Sequence, residues 1–125
     1  MRIEEIIKNE IEPRVPDECK RLGIPREFII GIHGYKGSDL FGAVGHCEPV
    51  IKDGKIIGVE LVIREDENRP RVARGTFFYL MKDAEQYYKG KQPSRKKSFA
   101  YQIKRGLEVD AKTILRKISL GRCGT

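Results

Sequence analysis

Residues 50–63 read VIKDGKIIGVELVI, and this stretch predicts a β-hairpin at the centre of the fold. Asp53 and Gly54 stand between two apolar runs. An Asp-Gly pair is a strong signal for a two-residue turn, because both central positions need a positive φ. The turn also sets the register, so Lys52 is expected opposite Lys55. Residues 40–51 and 55–63 are therefore predicted to form two antiparallel strands.

The hairpin register predicts which side chains face the core. If the pairing runs unbroken, His46 and Glu48 lie on the buried side of the first strand. A bulge at Pro49 is the alternative, and it would turn both side chains outward. Alternate residues of the second strand form the predicted core face: Ile57, Val59, Leu61 and Ile63.

Helices and one further strand surround the hairpin. Isoleucines at helical spacing predict an amphipathic helix over residues 2–12. Residues 27–35 alternate in hydropathy and predict a strand. Residues 77–88 carry apolar side chains at i, i+3, i+4 and i+7, which is typical of a core helix. A last helical region is predicted from a capping Ser94 to about residue 120. The core face of that region is expected to consist of Phe99, Ile103, Leu107, Ala111, Ile114 and Ile118.

These elements predict a single α+β domain over residues 1–125. Its order is an N-terminal helix, a three-stranded antiparallel meander, then two or three helices packed on one face. A composition of 39% hydrophobic and 34% charged residues is typical of a globular chain. No apolar run is long enough to span a membrane. Three cysteines without a CxxC spacing indicate reduced thiols in the cytoplasm. Few amides among many charges indicate a thermophile-like bias.

Positive charge is concentrated in the last third of the chain. Residues 1–85 hold 14 Lys/Arg and 16 Asp/Glu, whereas residues 86–125 hold 11 Lys/Arg and two acids. Such a split favours nucleic acid or another polyanion as a partner, with a solvated charged face as the alternative. The predicted contacts are Lys89, Lys91, Arg95, Lys96, Lys97, Lys104 and Arg105.

Residues 79–91, YLMKDAEQYYKGK, resemble the active-site helix of small zincin metallopeptidase cores, whose pattern is HExxHxxQYxxG. Gln86, Tyr87 and Gly90 match the end of that pattern. Residues 105–111, RGLEVDA, resemble the acidic segment of the helix that supplies the third metal ligand. The resemblance implies a zincin-like order over most of the chain: leading helix, short sheet, active-site helix and ligand helix. A chance likeness of an ordinary amphipathic helix is the alternative.

The departures from the zincin pattern fall on its catalytic positions. The two metal-binding histidines correspond to Tyr79 and Asp83, and the general base corresponds to Leu80, which cannot accept a proton. Tyrosine, with a reference pKa of about 10, is a poor zinc ligand near neutral pH. Carboxylates suit calcium or magnesium better than zinc. The resemblance therefore implies a scaffold without its zinc site. Its cleft is predicted to contain Tyr79, Asp83, His46, Glu48 and Glu108.

Three functions remain open. The favoured one is a non-enzymatic binding module on an inactive zincin-like scaffold. It needs no metal or cofactor, and its basic third contacts nucleic acid or another polyanion. The second is a hydrolase, nuclease or metallopeptidase-like, with a non-standard site around His33, His46, Glu48 and Asp83. The third is a regulator that binds a protein partner through the cleft. No membrane partner is expected.

Overall fold

The structure, a computed structural model, describes residues 2–36 and 44–124, with side chains as far as Ile118. Residues 40–43 of the predicted strand 40–51 and the side chain of Cys123 lie outside it. The elements follow in this order: α1 (Ile3–Ile6), a π-helical turn (Ile7–Ile11), a 3-10 turn (Glu12–Arg14), α2 (Val15–Leu22), a 3-10 turn (Arg26–Phe28), β1 (Ile29–Tyr35), β2 (Gly45–Lys52), β3 (Lys55–Arg64), α3 (Pro70–Tyr88) and α4 (Arg95–Gly124).

The predicted α+β class is confirmed, but the sheet is mixed rather than wholly antiparallel. Its strand order is β1-β3-β2, with β2 antiparallel and β1 parallel to β3. The prediction of an antiparallel meander was therefore wrong for β1, which pairs with β3 in parallel. Leu61, Val62 and Ile63 of β3 are all buried, so this strand is apolar on both faces. Such a strand is best placed at the centre, where both of its edges are paired, and β1 then takes the edge opposite β2.

The predicted turn is confirmed. Asp53 has a φ of 52° and Gly54 a φ of 76°, and Lys52 stands opposite Lys55. The register then shifts by one residue, because Ile51 pairs with Ile56 whereas Val50 pairs with Gly58. The extra residue of this bulge is Ile57 of β3.

This bulge reverses the faces of β2. Cys47 stands opposite Leu61 and is buried, whereas His46 and Glu48 are exposed. The predicted burial of His46 and Glu48 was wrong. The alternative, a bulge that turns both side chains outward, is confirmed, and the bulge lies just past Pro49. Ile57, predicted in the core, is 49% exposed for the same reason.

The core lies between the sheet, the N-terminal helical segment and α3. Two strand glycines allow this close packing. A Cβ at Gly45 would lie 2.6 Å from Thr76 Cγ2 of α3, and a Cβ at Gly34 would lie 2.8 Å from Ile3 Cγ2 of α1. The largest fully buried side chains include Ile3, Ile6, Ile11, Leu61, Ile63, Phe77, Phe78, Leu80 and Met81.

The inward face of α4 is the opposite of the one predicted. Phe99 is 56% exposed and Leu107 is 66% exposed, whereas Ser98 and Arg105 are buried. The cause is Glu18 of α2, which has no exposed surface. A buried carboxylate needs a cation and hydrogen bonds, and leaving it without them costs more than exposing part of an apolar side chain. Arg105 supplies the cation from α4. No helix in residues 2–36 and 44–124 combines the length and apolarity needed to cross a bilayer.

Gly45→Ala is expected to destabilise the protein by about 1–3 kcal/mol, because the new methyl group meets α3 and the carbonyl of Val62. Urea unfolding measures the change. Gly31→Ala is the matched control, since its Cβ would meet only the His33 ring at 3.7 Å, an ordinary contact. Equal losses in the two variants would contradict the close packing of α3 on β2.

Glu18→Ala is expected to cost about 3 kcal/mol, the low end for breaking a buried ion pair, because Arg105 loses its buried carboxylate but keeps Glu108. Glu12→Ala, at an exposed position of the same helical segment, should stay within about 0.5 kcal/mol of the parent protein. Thermal and urea unfolding test both variants. A loss below about 1 kcal/mol for Glu18→Ala would contradict the role given to this pair.

Candidate functional site

A cleft of about 630 Å³ opens where β2, at the edge of the sheet, meets α3. The backbone of β2 forms one wall, α3 forms the floor, and the segment that leads into α4 closes the far side. The polar and aromatic side chains of its walls include His46, Tyr79, Asp83, Tyr87, Gln92 and Arg95.

Three of the five predicted cleft residues meet in this cleft. His46, Tyr79 and Asp83 line it. Glu48 is exposed and stands opposite Glu60 on the sheet face that the bulge turned outward. Glu108 lies on the flank of α4 that faces α2, with its Oε2 2.5 Å from Arg105 Nη1. The structure therefore brings together the strand and α3 residues of the prediction and separates the two glutamates from them.

The two histidines lie on one face of the sheet but on different strands. His33 of β1 and His46 of β2 both stand opposite Val62 of β3. Two strand spacings separate their backbones by about 10 Å. In the described part of the chain, no group of three or more His, Cys, Asp or Glu side chains is placed to hold a metal ion.

Asp83 supplies the carboxyl group that lines the cleft. It is 9% exposed, and its Oδ1 accepts a hydrogen bond from Ser98 Oγ. Burial raises the pKa of Asp83, while the bond from Ser98 and the nearby His46 act in the opposite direction. A carboxyl group with a raised pKa in a cleft is a candidate for binding or proton transfer.

The same hydrogen-bond network fixes the start of α4. Gln86 Nε2 donates to Ser98 Oγ at 3.1 Å, and Gln86 Oε1 accepts from the backbone N–H of Ser94 at 2.8 Å. The predicted cap is confirmed, since Ser94 Oγ accepts from the N–H of Lys97 at 3.4 Å. Asp83 and Gln86 thus hold both the floor and the far wall of the cleft in place.

The thiol of Cys47 and the hydroxyls of Tyr79 and Tyr87 stay protonated near neutral pH. Burial, followed by the charge of Asp83, raises the pKa of the Cys47 thiol far above its ordinary value. Burial also raises the pKa values of Tyr79 and Tyr87. A thiol nucleophile needs a lowered pKa, so Cys47 acts as a small core residue. The cleft offers hydroxyl and amide groups and the cation of Arg95, which suits binding better than covalent catalysis.

A second concave surface, of about 450 Å³, lies between the end of α3 and the first turns of α4. We call it the lysine groove. Tyr101 lines it, and Lys82 Nζ lies 5.5 Å from the centre of that ring. The groove is defined by five lysines: Lys82, Lys89, Lys91, Lys97 and Lys104.

Only part of the positive charge in the lysine groove is balanced. Glu85 lies 2.6 Å from Lys82 Nζ and 3.6 Å from Lys89 Nζ. Among the described residues, no carboxylate lies within ion-pair distance of Lys91, Lys97 or Lys104. The groove therefore carries an excess of cations on one concave surface.

The seven predicted nucleic-acid contacts divide into three groups. Four line the lysine groove. Arg95 lines the neighbouring cleft, and Lys96 is exposed in the first turn of α4. Arg105 does not belong to this surface. It is 5% exposed, and although burial opposes its charge, hydrogen bonds to Glu18 and Glu108 raise the pKa of Arg105. Arg105 is therefore not placed to contact phosphates, because Glu18 and Glu108 occupy its guanidinium inside the protein.

Lys82 and Ser98 are site residues that sequence reasoning missed. A signal for Lys82 was present, because it precedes Lys89 by seven residues on one helix and so shares its face. Ser98 gave no such signal. Its role depends on Asp83 being buried, which a helical pattern alone does not reveal.

Comparison with known proteins adds no relative. No protein-family model matches the chain, and no curated protein or solved structure matches it significantly.

Asp83→Asn is expected to make the stability of the protein less dependent on pH. Because burial raises the pKa of Asp83 in the folded state, the stability that its protonated form provides is lost as pH rises through that pKa. The variant has no such loss, so it should be the more stable form at pH 7. The advantage should disappear below the ordinary aspartate pKa of 3.8. Urea unfolding between pH 3 and pH 8 measures it.

Asp17→Asn is the control with the opposite sign. A hydrogen bond from Arg21 lowers the pKa of exposed Asp17, so its contribution is present at neutral pH and lost as pH falls. This variant should be the less stable form at pH 7. Parallel curves for Asp83→Asn and the parent protein would contradict the assignment of Asp83.

Proposed function

We propose that the chain is a non-enzymatic binding module that contacts nucleic acid or another polyanion through the lysine groove. The observation that carries this conclusion is the convergence of five lysines on one concave surface with a single carboxylate, Glu85, among them. Lysines that neutralise phosphates release condensed counterions, which drives binding without reading the base sequence.

The distribution of charge supports the same conclusion. Four of the groove lysines belong to residues 86–125, which contain 11 Lys/Arg and only two Asp/Glu, and Lys82 belongs to α3. Both acids are already paired: Glu108 with Arg105, and Asp110 with Arg71 and Arg74. An arginine compensates each of them, although Glu108 also interacts with Lys104 of the groove. Arg95 and Lys96 extend the positive field along the first turn of α4.

The zincin-like origin of the scaffold remains part of the proposal. The strand edge and the helix that bears Tyr79 and Asp83 enclose one cleft, which supports it. We infer a scaffold that keeps this cleft without zinc peptidase chemistry, because Leu80 stands where the pattern needs a general base. In this reading the cleft contributes binding surface, and the lysine groove contributes affinity for polyanions.

A hydrolase that acts in the cleft is the second candidate. One observation favours it: Asp83 is buried beside His46, with a raised pKa. Of the residues first assigned to this site, His33 and Glu48 lie away from the cleft. Cleavage of DNA, RNA or a peptide in the presence of a metal chelator, lost in Asp83→Asn, would move the conclusion to this candidate. A protein partner in the cleft is the remaining alternative.

A salt titration of nucleic-acid binding tests the first proposal. With about four to six phosphate contacts, the logarithm of affinity should fall against the logarithm of salt with a slope of about −3 to −5. Replacing Lys89, Lys91, Lys97 and Lys104 together with alanine should flatten the slope by about 2–4 units. Fluorescence anisotropy with a labelled duplex and a labelled single strand measures both.

Four exposed lysines elsewhere provide a matched control. Lys8, Lys20, Lys52 and Lys55 carry the same total charge but lie outside the lysine groove. Their replacement with alanine should change the slope by less than about one unit. Equal effects of the two sets, or no binding at about 100 μM protein in low salt, would refute the proposal.

A further inference from the structure

The outer face of α4 is apolar over about five turns of helix. The stripe starts at Phe99, which is 56% exposed, and ends at Ile118, which is 49% exposed. It lies opposite the face on which Arg105 binds Glu18. The other members are Ile103, Leu107, Ile114 and Leu115, each at least 47% exposed.

The first half of this stripe borders a groove between α3 and α4. Phe78 and Phe99 stand on its two sides, and Ile103 and Leu107 continue one rim. The groove has a volume of about 290 Å³. It lies on the flank of α4 away from the lysine groove, so the two surfaces are separate. We call this region, the groove with the stripe beyond it, the α3–α4 face.

Gly106, on the floor of the groove, has no role in the packing of the chain itself. A Cβ at this position would meet no atom within 4 Å, and its φ is not positive. A glycine inside a helix costs about 0.5–1 kcal/mol relative to alanine. Close approach of a second backbone is the physical use of such a glycine.

The exposed apolar area lies at the upper end of what a monomer leaves in one patch. The six apolar residues together present on the order of 600 Å² of accessible surface, the upper end for the largest patch of a monomer. A standard interface uses about 800 Å² on each side. A single helix laid along the α3–α4 face would cover the stripe together with the groove beside Phe78.

The charged residues near the stripe indicate which kind of partner fits the α3–α4 face. Residues 95–118 contain eight Lys/Arg and two Asp/Glu, and both acids are already paired within the chain. Of the eight, Arg105 is buried, and Lys97 and Lys104 lie in the lysine groove on the other flank.

Lys96 and Lys117 are exposed and share the outer side of α4 with the stripe. Arg71, Arg74 and one carboxylate, Asp110, line the groove. A second copy of α4 would place basic residues against basic residues, which costs free energy. A helix with acidic flanks would pair with them.

We propose that the α3–α4 face binds an amphipathic helix of a partner protein that is apolar on one side and acidic on its flanks. Its apolar side chains lie along Phe99, Ile103 and Leu107, its backbone approaches Gly106, and its carboxylates face the basic rim. This interaction is distinct from polyanion binding by the lysine groove and does not depend on it.

A designed peptide provides the probe. It is a helical peptide of about six turns with Leu on one face and Glu elsewhere, and its counterpart carries Lys in place of Glu. The acidic peptide should bind with a Kd of about 10–100 μM, more weakly as salt rises, and the basic peptide should bind at least about tenfold more weakly. Fluorescence anisotropy with labelled peptides measures the affinities.

Two variants test the site itself. Ile103→Glu/Leu107→Glu changes exposed positions, and Gly106→Leu fills open space, so both should fold normally. Each should weaken the acidic peptide at least about tenfold. Ile51→Glu, at an exposed isoleucine of β2, is the matched control and should leave binding unchanged. Circular dichroism and thermal unfolding verify that each variant is folded.

Several results would overturn the proposal. They are no binding of the acidic peptide at about 500 μM, equal binding of the basic peptide, or wild-type affinity in both groove variants. Self-association that Ile103→Glu/Leu107→Glu abolishes would assign the face to a second copy instead. Binding to anionic phospholipid vesicles with the same dependence on the variant would assign it to a membrane surface. Nucleic-acid binding should persist in Ile103→Glu/Leu107→Glu, so the failure of either proposal leaves the other testable.

Discussion

A buried ion pair between Glu18 of α2 and Arg105 of α4 orients a helix that holds nine of the 25 Lys/Arg of the protein but only two of its 18 Asp/Glu. The two residues are 87 positions apart, and Arg105 Nε lies 2.7 Å from Glu18 Oε1. Tyr101 donates a second hydrogen bond to the same carboxylate. Because the rotation of α4 about its axis is set by these contacts, Lys97 and Lys104 line the lysine groove and the apolar stripe faces outward. Both proposed binding surfaces therefore depend on one carboxylate in the N-terminal segment.

The bulge opposite Ile51 has a comparable effect on the sheet. A shift of one residue exchanges the two faces of a strand. Here it places Cys47 in the core and turns Glu48 to the outer face. It also brings Gly45 against α3, and the lack of a side chain at that position lets β2 and α3 approach closely enough to enclose the cleft. The composition of the cleft is thus a consequence of pairing geometry as much as of residue type.

The extent to which the sequence predicted this structure depends on how local each signal is. The Asp53-Gly54 turn, the cap at Ser94 and the core stripe of α3 depend on neighbours within about five residues, and each was predicted. The parallel pairing of β1 with β3 and the inward face of α4 depend on contacts between distant segments. For α4 the apolar pattern misled, because periodicity identifies an amphipathic helix but not which face the rest of the protein covers. In the cleft, Asp83 was predicted from a family pattern, whereas its partner Ser98 required the packed structure.

The orientation of α4 is better understood as specificity than as stability. A buried ion pair gains little net free energy over an apolar pair of the same size, because desolvation of both charges offsets their attraction. The ion pair acts mainly by raising the free energy of other orientations of α4. A rotation of α4 that buried Phe99 and Ile103 would remove Arg105 from Glu18 and leave this fully buried carboxylate with Arg21 alone, whose Nε lies 4.0 Å away. Such a state is costly by several kcal/mol, which is comparable to what burial of the two apolar side chains would return, since each is already about half covered. The ion pair thus helps to keep the apolar stripe of α4 exposed, although burial of that stripe would be favourable. Binding of a partner to the stripe would recover this free energy.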